Sequence, residues 1–181
     1  MPSIQKVAVI GSGVMGSGIA AQAANAGLEV VLLDIVAEGS DRDAIARGAI
    51  QRMRKTNPAP LMHPRNAARI RAGNLDDHLD WLADCDLVIE AVLENLEIKK
   101  DLYQKVNAHR RSDCIVTSNT STIPLDHLVA DMSEDFREYF AVTHFFNPPR
   151  YMRLLELVAG SDTRAEVITA LRDFGDQLLG K

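Results

Sequence analysis

The sequence predicts an α/β fold: a doubly wound, mostly parallel sheet with one helical excursion after the second strand. Three observations lead there. Short β-branched runs recur along the chain and alternate with helix-like stretches. The first two runs enclose a glycine-rich turn and a helix within about thirty residues, which makes a βαβ unit. The composition is that of an ordinary single domain: 181 residues, 46% apolar and 25% charged, with no repeat or low-complexity tract, so disorder, collagen and coiled coil are excluded.

The elements follow in order. Lys6-Val7-Ala8-Val9-Ile10 ends at Gly11 and reads as a strand. Val14 to Ala26, rich in Ala, Ile, Met and Gln, reads as a helix that Gly27 stops. Val30-Val31-Leu32-Leu33 is a second strand closing on Asp34, and its unbroken apolar run suits a parallel strand covered on both faces. Residues 38 to 84 form the excursion. Asp41 to Lys55 reads as a basic helix carrying Arg42, Arg47, Arg52, Arg54 and Lys55. Asn57-Pro58-Ala59-Pro60 breaks it, and His63-Pro64 opens a second helix. Asp86 to Val92 resumes the strand pattern, followed by a helix over Asn95 to His109. Cys114 to Thr117, Tyr139 to Phe145 and Arg153 to Ala159 read as strands, and Thr163 to Leu179 as an amphipathic helix.

Charge and cysteine count narrow the function. A net charge of −5 gives no general attraction for nucleic acid or an anionic membrane. No apolar run approaches the ~18 residues of a membrane span, and Met1 to Lys6 is too short and polar for a signal or transit peptide. Cys85 and Cys114 have no disulfide-framework or metal-ligand spacing and read as buried, reduced thiols. The expectation is a soluble cytoplasmic protein without a metal.

Gly11-Ser12-Gly13-Val14-Met15-Gly16 fits G-x-G-x-x-G, leaving a strand and opening a helix. In that setting Gly11 makes the turn, Gly13 lets backbone approach a pyrophosphate, and Gly16 lets the helix sit against the strand. The N–H groups of the helix start, from Val14 and Met15 onward, face the phosphates. Asp34 lies about twenty residues on, where a carboxylate accepts the ribose hydroxyls and repels a 2′-phosphate. The cofactor expected is therefore NAD rather than NADP.

His63, His78, His109 and His127 fall in loops or on polar helix faces and read as solvated. His144 ends an apolar strand, where ligands of open α/β sheets bind. Glu156 lies within Arg153 to Ala159, apolar on both faces, so it reads as a carboxylate buried in a strand and in need of a partner. Eight residues separate Phe145 from Leu154, so the two strands are candidates for neighbours and His144–Glu156 for an acid–base pair. A structural salt bridge from Glu156 to Arg150 or Arg153 is the alternative. Ser118-Asn119-Thr120-Ser121 reads either as a local Ser/Thr turn or as a hydroxyl at a strand end that holds a substrate oxygen.

Together these motifs, with Glu94-Asn95-Leu96, Lys99, His144-Phe145-Phe146-Asn147-Pro148 and Leu155-Glu156-Leu157-Val158, resemble the NAD-binding domain of the L-3-hydroxyacyl-CoA dehydrogenases of fatty acid β-oxidation. The resemblance runs from Val7 to about Gly180. It implies a Rossmann-type domain in which His144 is the catalytic base, Glu156 orients it and Ser118 holds the substrate's 3-oxygen. It implies cofactor or substrate contacts at Glu94, Lys99, Ser118 and Asn147, beside Gly11, Gly13, Val14, Met15, Gly16 and Asp34. The substrate implied is a 3-hydroxyacyl-CoA, with its CoA near the excursion; the basic helix ending in Arg52, Arg54 and Lys55 reads either as a seat for the CoA phosphates or as a solvated charged face. Members of that family continue into a helical domain that closes the cleft and carries dimer contacts. The expectation is thus that residues 1–181 are the cofactor half, and that this half alone turns over poorly. The run from Asn147 to Met152 also has the flavour of the longer fused enzymes that add a hydratase region. Two other readings stand beside this one: a non-catalytic dinucleotide-binding module, and another two-domain 3-hydroxy acid dehydrogenase.

Overall fold

The structure, a computed structural model, describes residues 4–181. Residues 1–3, part of the segment read above for a targeting signal, lie outside the described residues. The first strand, β1 (Lys6–Ile10), leads through the glycine turn into α1 (Val14–Asn25) and back into β2 (Glu29–Asp34). Gly27, at φ +91°, takes the left-handed conformation that reverses the chain between α1 and β2. Next come α2 (Ala44–Met53), a 3₁₀ turn over Pro64–Arg69 and β3 (Ile70–Asn74). A second 3₁₀ turn (Leu79–Asp84) precedes β4 (Leu87–Glu90), α3 (Leu96–His109) and β5 (Ile115–Ser118). The remaining elements are α4 (Leu125–Val129), α5 (Glu134–Glu138), β6 (Phe140–Phe145), β7 (Leu155–Ala159) and α6 (Ala165–Asp173), which winds on as a π-helical turn over Phe174–Leu179.

The seven strands form one sheet in the order β3-β2-β1-β4-β5-β6-β7. All neighbours are parallel except β6 and β7, which run antiparallel. Strand order reverses between β1 and β4, the crevice where open α/β sheets bind ligands. Alternation along each strand builds two cores. Val7, Val9 and Leu32 pack with Ile19 and Phe174 on one face, while Ala8, Ile10, Val31 and Leu33 pack with Tyr103, Phe136 and Phe140 on the other.

Several expectations are corrected. The excursion is not wholly helical: β3 pairs with β2 and extends the sheet. Ile70-Arg71-Ala72-Gly73-Asn74 carries little apolar signal because Trp81 covers it, with the Arg71 guanidinium 3.4 Å from the ring centroid. Gly73 makes room for that ring, since a Cβ there would come within 2.7 Å of it. The short helices α4 and α5 have no counterpart in the sequence reading. Glu156 is not buried: β7 is an edge strand, and the Glu156 side chain is 51% exposed. His78 is not simply solvated, because its ring accepts the Asn74 N–H and packs on Trp81.

Candidate active site

The glycine loop has the geometry its sequence demands. Gly11 sits at φ +98°, and a Cβ on it would lie 2.5 Å from the Ala91 carbonyl oxygen. A Cβ on Gly16 would overlap the Gly11 carbonyl oxygen. At Gly13, by contrast, a Cβ would meet nothing within 4 Å, so its backbone faces open space. Gly13 is also the N-cap of α1 and supplies no side-chain acceptor, which leaves first-turn N–H groups free for an anion. Asp34 closes the loop from β2. Its Oδ2 accepts the Ser12 N–H at 2.5 Å and the Ser12 hydroxyl at 2.6 Å, and its Oδ1 accepts the Ile35 N–H at 2.7 Å.

A cavity of about 840 Å³ runs over the ends of β1, β2 and β4, touching Gly13, Met15, Asp34, Glu94, Lys99 and Asn119. An uncapped helix start, a glycine with open space at its Cβ and a carboxylate at the next strand end fit a dinucleotide. Glu94 stands at the far side from Asp34. Its carboxylate accepts from the Thr120 hydroxyl, from the Thr122 hydroxyl at 3.0 Å and from the N–H groups of Ser121 and Thr122 at 3.3 Å. Burial disfavours the charge on Glu94, but the Thr120 hydrogen bond and the Lys99 ammonium outweigh it and hold the carboxyl at about 2.

Beneath this cavity lies a carboxylate that the sequence reading missed. Glu90, 1% exposed, accepts from Lys99 Nζ at 2.6 Å and Val92 N–H at 2.8 Å through Oε1, and from Tyr103 and Ser118 hydroxyls at 2.7 Å each through Oε2. Lys99 also reaches Glu94 at 3.3 Å and is itself 1% exposed. Ser118 is fully buried, and its hydroxyl accepts the Thr120 N–H while donating to Glu90. The residues implied as direct contacts at positions 99 and 118 thus form the floor of the site. The signal for Glu90 was present: an acid ends the apolar run Leu87-Val88-Ile89, and Lys99 and Tyr103 follow one helical turn apart.

His144 and Glu156 are directly opposite in the antiparallel β6–β7 register. Directly opposed side chains share a face of the sheet, and here Glu156 Oε2 lies 2.8 Å from His144 Nδ1. With the carboxylate accepting from Nδ1–H, the Nε2 lone pair is left free as a proton acceptor. The imidazole packs on Phe146 with ring centroids 4.5 Å apart, and its side chain is 21% exposed. Arg150 is engaged elsewhere, donating to the Ala59 carbonyl at 2.7 Å. Asn119 couples β5 to β6 through its Oδ1, which accepts the Phe145 N–H at 2.9 Å. Asn147 lies on a second cavity, of about 510 Å³, which meets the first at Gly13 and Val14 and reaches Arg52. Arg54 and Lys55 are exposed, while Arg42 and Arg47 are spent on Asp77, Asp41 and Asp43.

Sheet order, glycine loop and strand-end histidine define a dinucleotide-binding domain of the dehydrogenase class. Residues 6–181 match the family model of the 3-hydroxyacyl-CoA dehydrogenase NAD-binding domain. The chain belongs to that family. It is 49% identical over 179 residues to a Rickettsia felis protein named "Putative fatty acid oxidation complex trifunctional enzyme", covering 98% of this chain and 25% of that one. It is 45% identical to a Deinococcus radiodurans protein named "Probable 3-hydroxyacyl-CoA dehydrogenase", covering 98% of this chain and 52% of that one. The crystal structure of 3-hydroxybutyryl-CoA dehydrogenase from Escherichia coli K12 superposes with a TM-score of 0.83 at 35% identity, over 99% of this chain and 37% of its own. The chain therefore spans a quarter to about half of the length of these relatives.

Proposed function

We propose that this chain is the cofactor-binding and proton-accepting part of an enzyme that oxidises L-3-hydroxyacyl-CoA to 3-ketoacyl-CoA with NAD in fatty acid β-oxidation. The observation that carries this reading is the His144–Glu156 pair at the end of β6, joined to the larger cavity through Asn119, which lines that cavity and accepts the Phe145 N–H. Bound NAD supplies the hydride-accepting chemistry. Asp34 receives a ribose, the α1 N-terminus the diphosphate, and Glu94 and Asn119 wall the far end. His144 Nε2 takes the substrate hydroxyl proton, and Glu156 fixes the tautomer and offsets the imidazolium charge. The second cavity, with Arg52 on its rim, receives the CoA portion. A purely dinucleotide-sensing module has no use for an oriented imidazole.

The domain role belongs to the same reading: residues 1–181 bind cofactor, and a helical partner domain covers the cleft and carries dimer contacts. A cytoplasmic setting accords with the two free, buried thiols at Cys85 and Cys114, and among the described residues no helix is long and apolar enough to cross a membrane.

Titration of the 181-residue chain with NADH, alongside Asp34→Ala and an acetoacetyl-CoA assay of the same samples, tests the reading. The expected result is NADH binding weakened on the order of tenfold or more in the variant, from loss of charge-assisted hydrogen bonds, with little turnover. A folded wild-type chain that does not bind NADH overturns it. Full turnover overturns the need for a partner domain.

A further inference from the structure

We propose that Glu90 is a positioning residue for the nicotinamide end of the cofactor site, a role that rests on the dehydrogenase reading above. Asp34 and the glycine loop take the adenosine and diphosphate ends over β1 and β2, so the rest of a dinucleotide lies over the ends of β4 and β5. Two chain segments wall that end, residues 91–94 after β4 and residues 118–122 from the last residue of β5 onward. Glu90 holds both. Its Oε1 accepts the Val92 N–H, its Oε2 accepts the Ser118 hydroxyl, and its backbone carbonyl accepts the Asn119 N–H at 2.8 Å.

The tie extends to the reacting groups. Lys99 joins Glu90 to Glu94, and Asn119 Oδ1 holds the Phe145 N–H next to His144. The side-chain carboxylate has four donors on its two oxygens, which fills its acceptor capacity and leaves nothing for a ligand. Its work is therefore done through neighbours. A buried ion pair is a poor device for stability alone, because a well-packed apolar pair of similar volume is as good or better. What Glu90 and Lys99 supply is placement of two loops from one point. Neither Asp34 nor the glycine loop is hydrogen-bonded to the Glu90 side chain, whose four partners are Val92, Lys99, Tyr103 and Ser118.

The test separates the two ends of the ligand. Wild type, Glu90→Gln and Tyr103→Phe are titrated by calorimetry with NADH and with ADP-ribose, which lacks only the nicotinamide, and folding is followed by circular dichroism. Glutamine offers one acceptor oxygen in place of two, so Glu90→Gln is expected to weaken NADH about tenfold or more while ADP-ribose changes less than about twofold. Tyr103→Phe keeps the ring against Phe136 and Phe140 and removes one donor. It is expected to weaken NADH by about two- to fivefold, again sparing ADP-ribose. It decides the matter where Glu90→Gln does not fold. Equal losses for both ligands, or no loss for either, overturn the positioning role. A folded wild type that binds ADP-ribose but gains nothing from the nicotinamide overturns it too, and one that binds neither ligand overturns the dinucleotide reading beneath it.

Discussion

Glu94 shows how one side chain couples the site to pH. Its carboxyl is held at about 2 in the folded chain against an ordinary value of 4.5. The folded state therefore binds the proton less readily than the unfolded one. The stabilisation is complete above about pH 5 and is lost as pH falls from there toward 2. Thermal melts over that window should show a steeper acid loss for wild type than for Glu94→Gln. Parallel curves would contradict the assignment. His144 and Glu156 give a different signature. In the enzyme proposed above, His144→Ala should lower kcat by about 10²–10⁴-fold with NADH affinity nearly unchanged, and Glu156→Gln should impair turnover while sparing the melting temperature. That second expectation follows from exposure, since Glu156 reaches solvent and its loss leaves no buried charge. The sequence made the His144–Glu156 pair legible for a partly wrong reason. Leu155, Leu157 and Val158 look like core, but a strand at a sheet edge keeps its apolar residues half wet. The same search for an acid in an apolar run applied equally to Glu90, where the burial is real.

At the scale of elements, the turn between β1 and α1 separates folding from binding by two glycines three residues apart. Gly16→Ala places a methyl on the Gly11 carbonyl oxygen and should lower the melting temperature sharply, the backbone clash costing about a few kcal/mol of stability. Gly13→Ala meets no protein atom, so the fold should survive while NADH binding is lost to the side chain now facing the diphosphate. A pair of melts and a pair of titrations check this, and the idea fails if Gly13→Ala unfolds or still binds like wild type. The βαβ units were readable because unbroken runs such as Val30-Val31-Leu32-Leu33 require cover on both faces. Strand β3 was not, because only Ile70 and Ala72 give it apolar contacts with the core, while its other face is covered through Trp81, Arg71 and a glycine. The helices α4 and α5 are five residues each, too short for periodicity to show. Ser133, which caps α5 by accepting the Phe136 N–H, was the available mark.

For the whole molecule, two continuous cores on opposite faces of one sheet mean that reagents reach the interior only by unfolding it. Cys85 and Cys114 are fully buried, and burial pushes their thiols up to about 11 and about 12. A disulfide reagent at pH 8 should label neither in the folded chain and both in denaturant, at a rate set by opening. Rapid stoichiometric labelling under native conditions would sink that picture. The antiparallel step at β7 has a consequence for inheritance. The base and its acid meet only because residue 144 stands opposite residue 156. Losing or gaining one codon between Ala141 and His144, or between Glu156 and Ala159, shifts the facing by one and turns one partner to the other side of the sheet. Codons added to the stretch from Phe146 to Leu154, outside the paired strands, leave the pairing intact. Lineages of this domain should therefore vary in length there and hold their codon count fixed on either side.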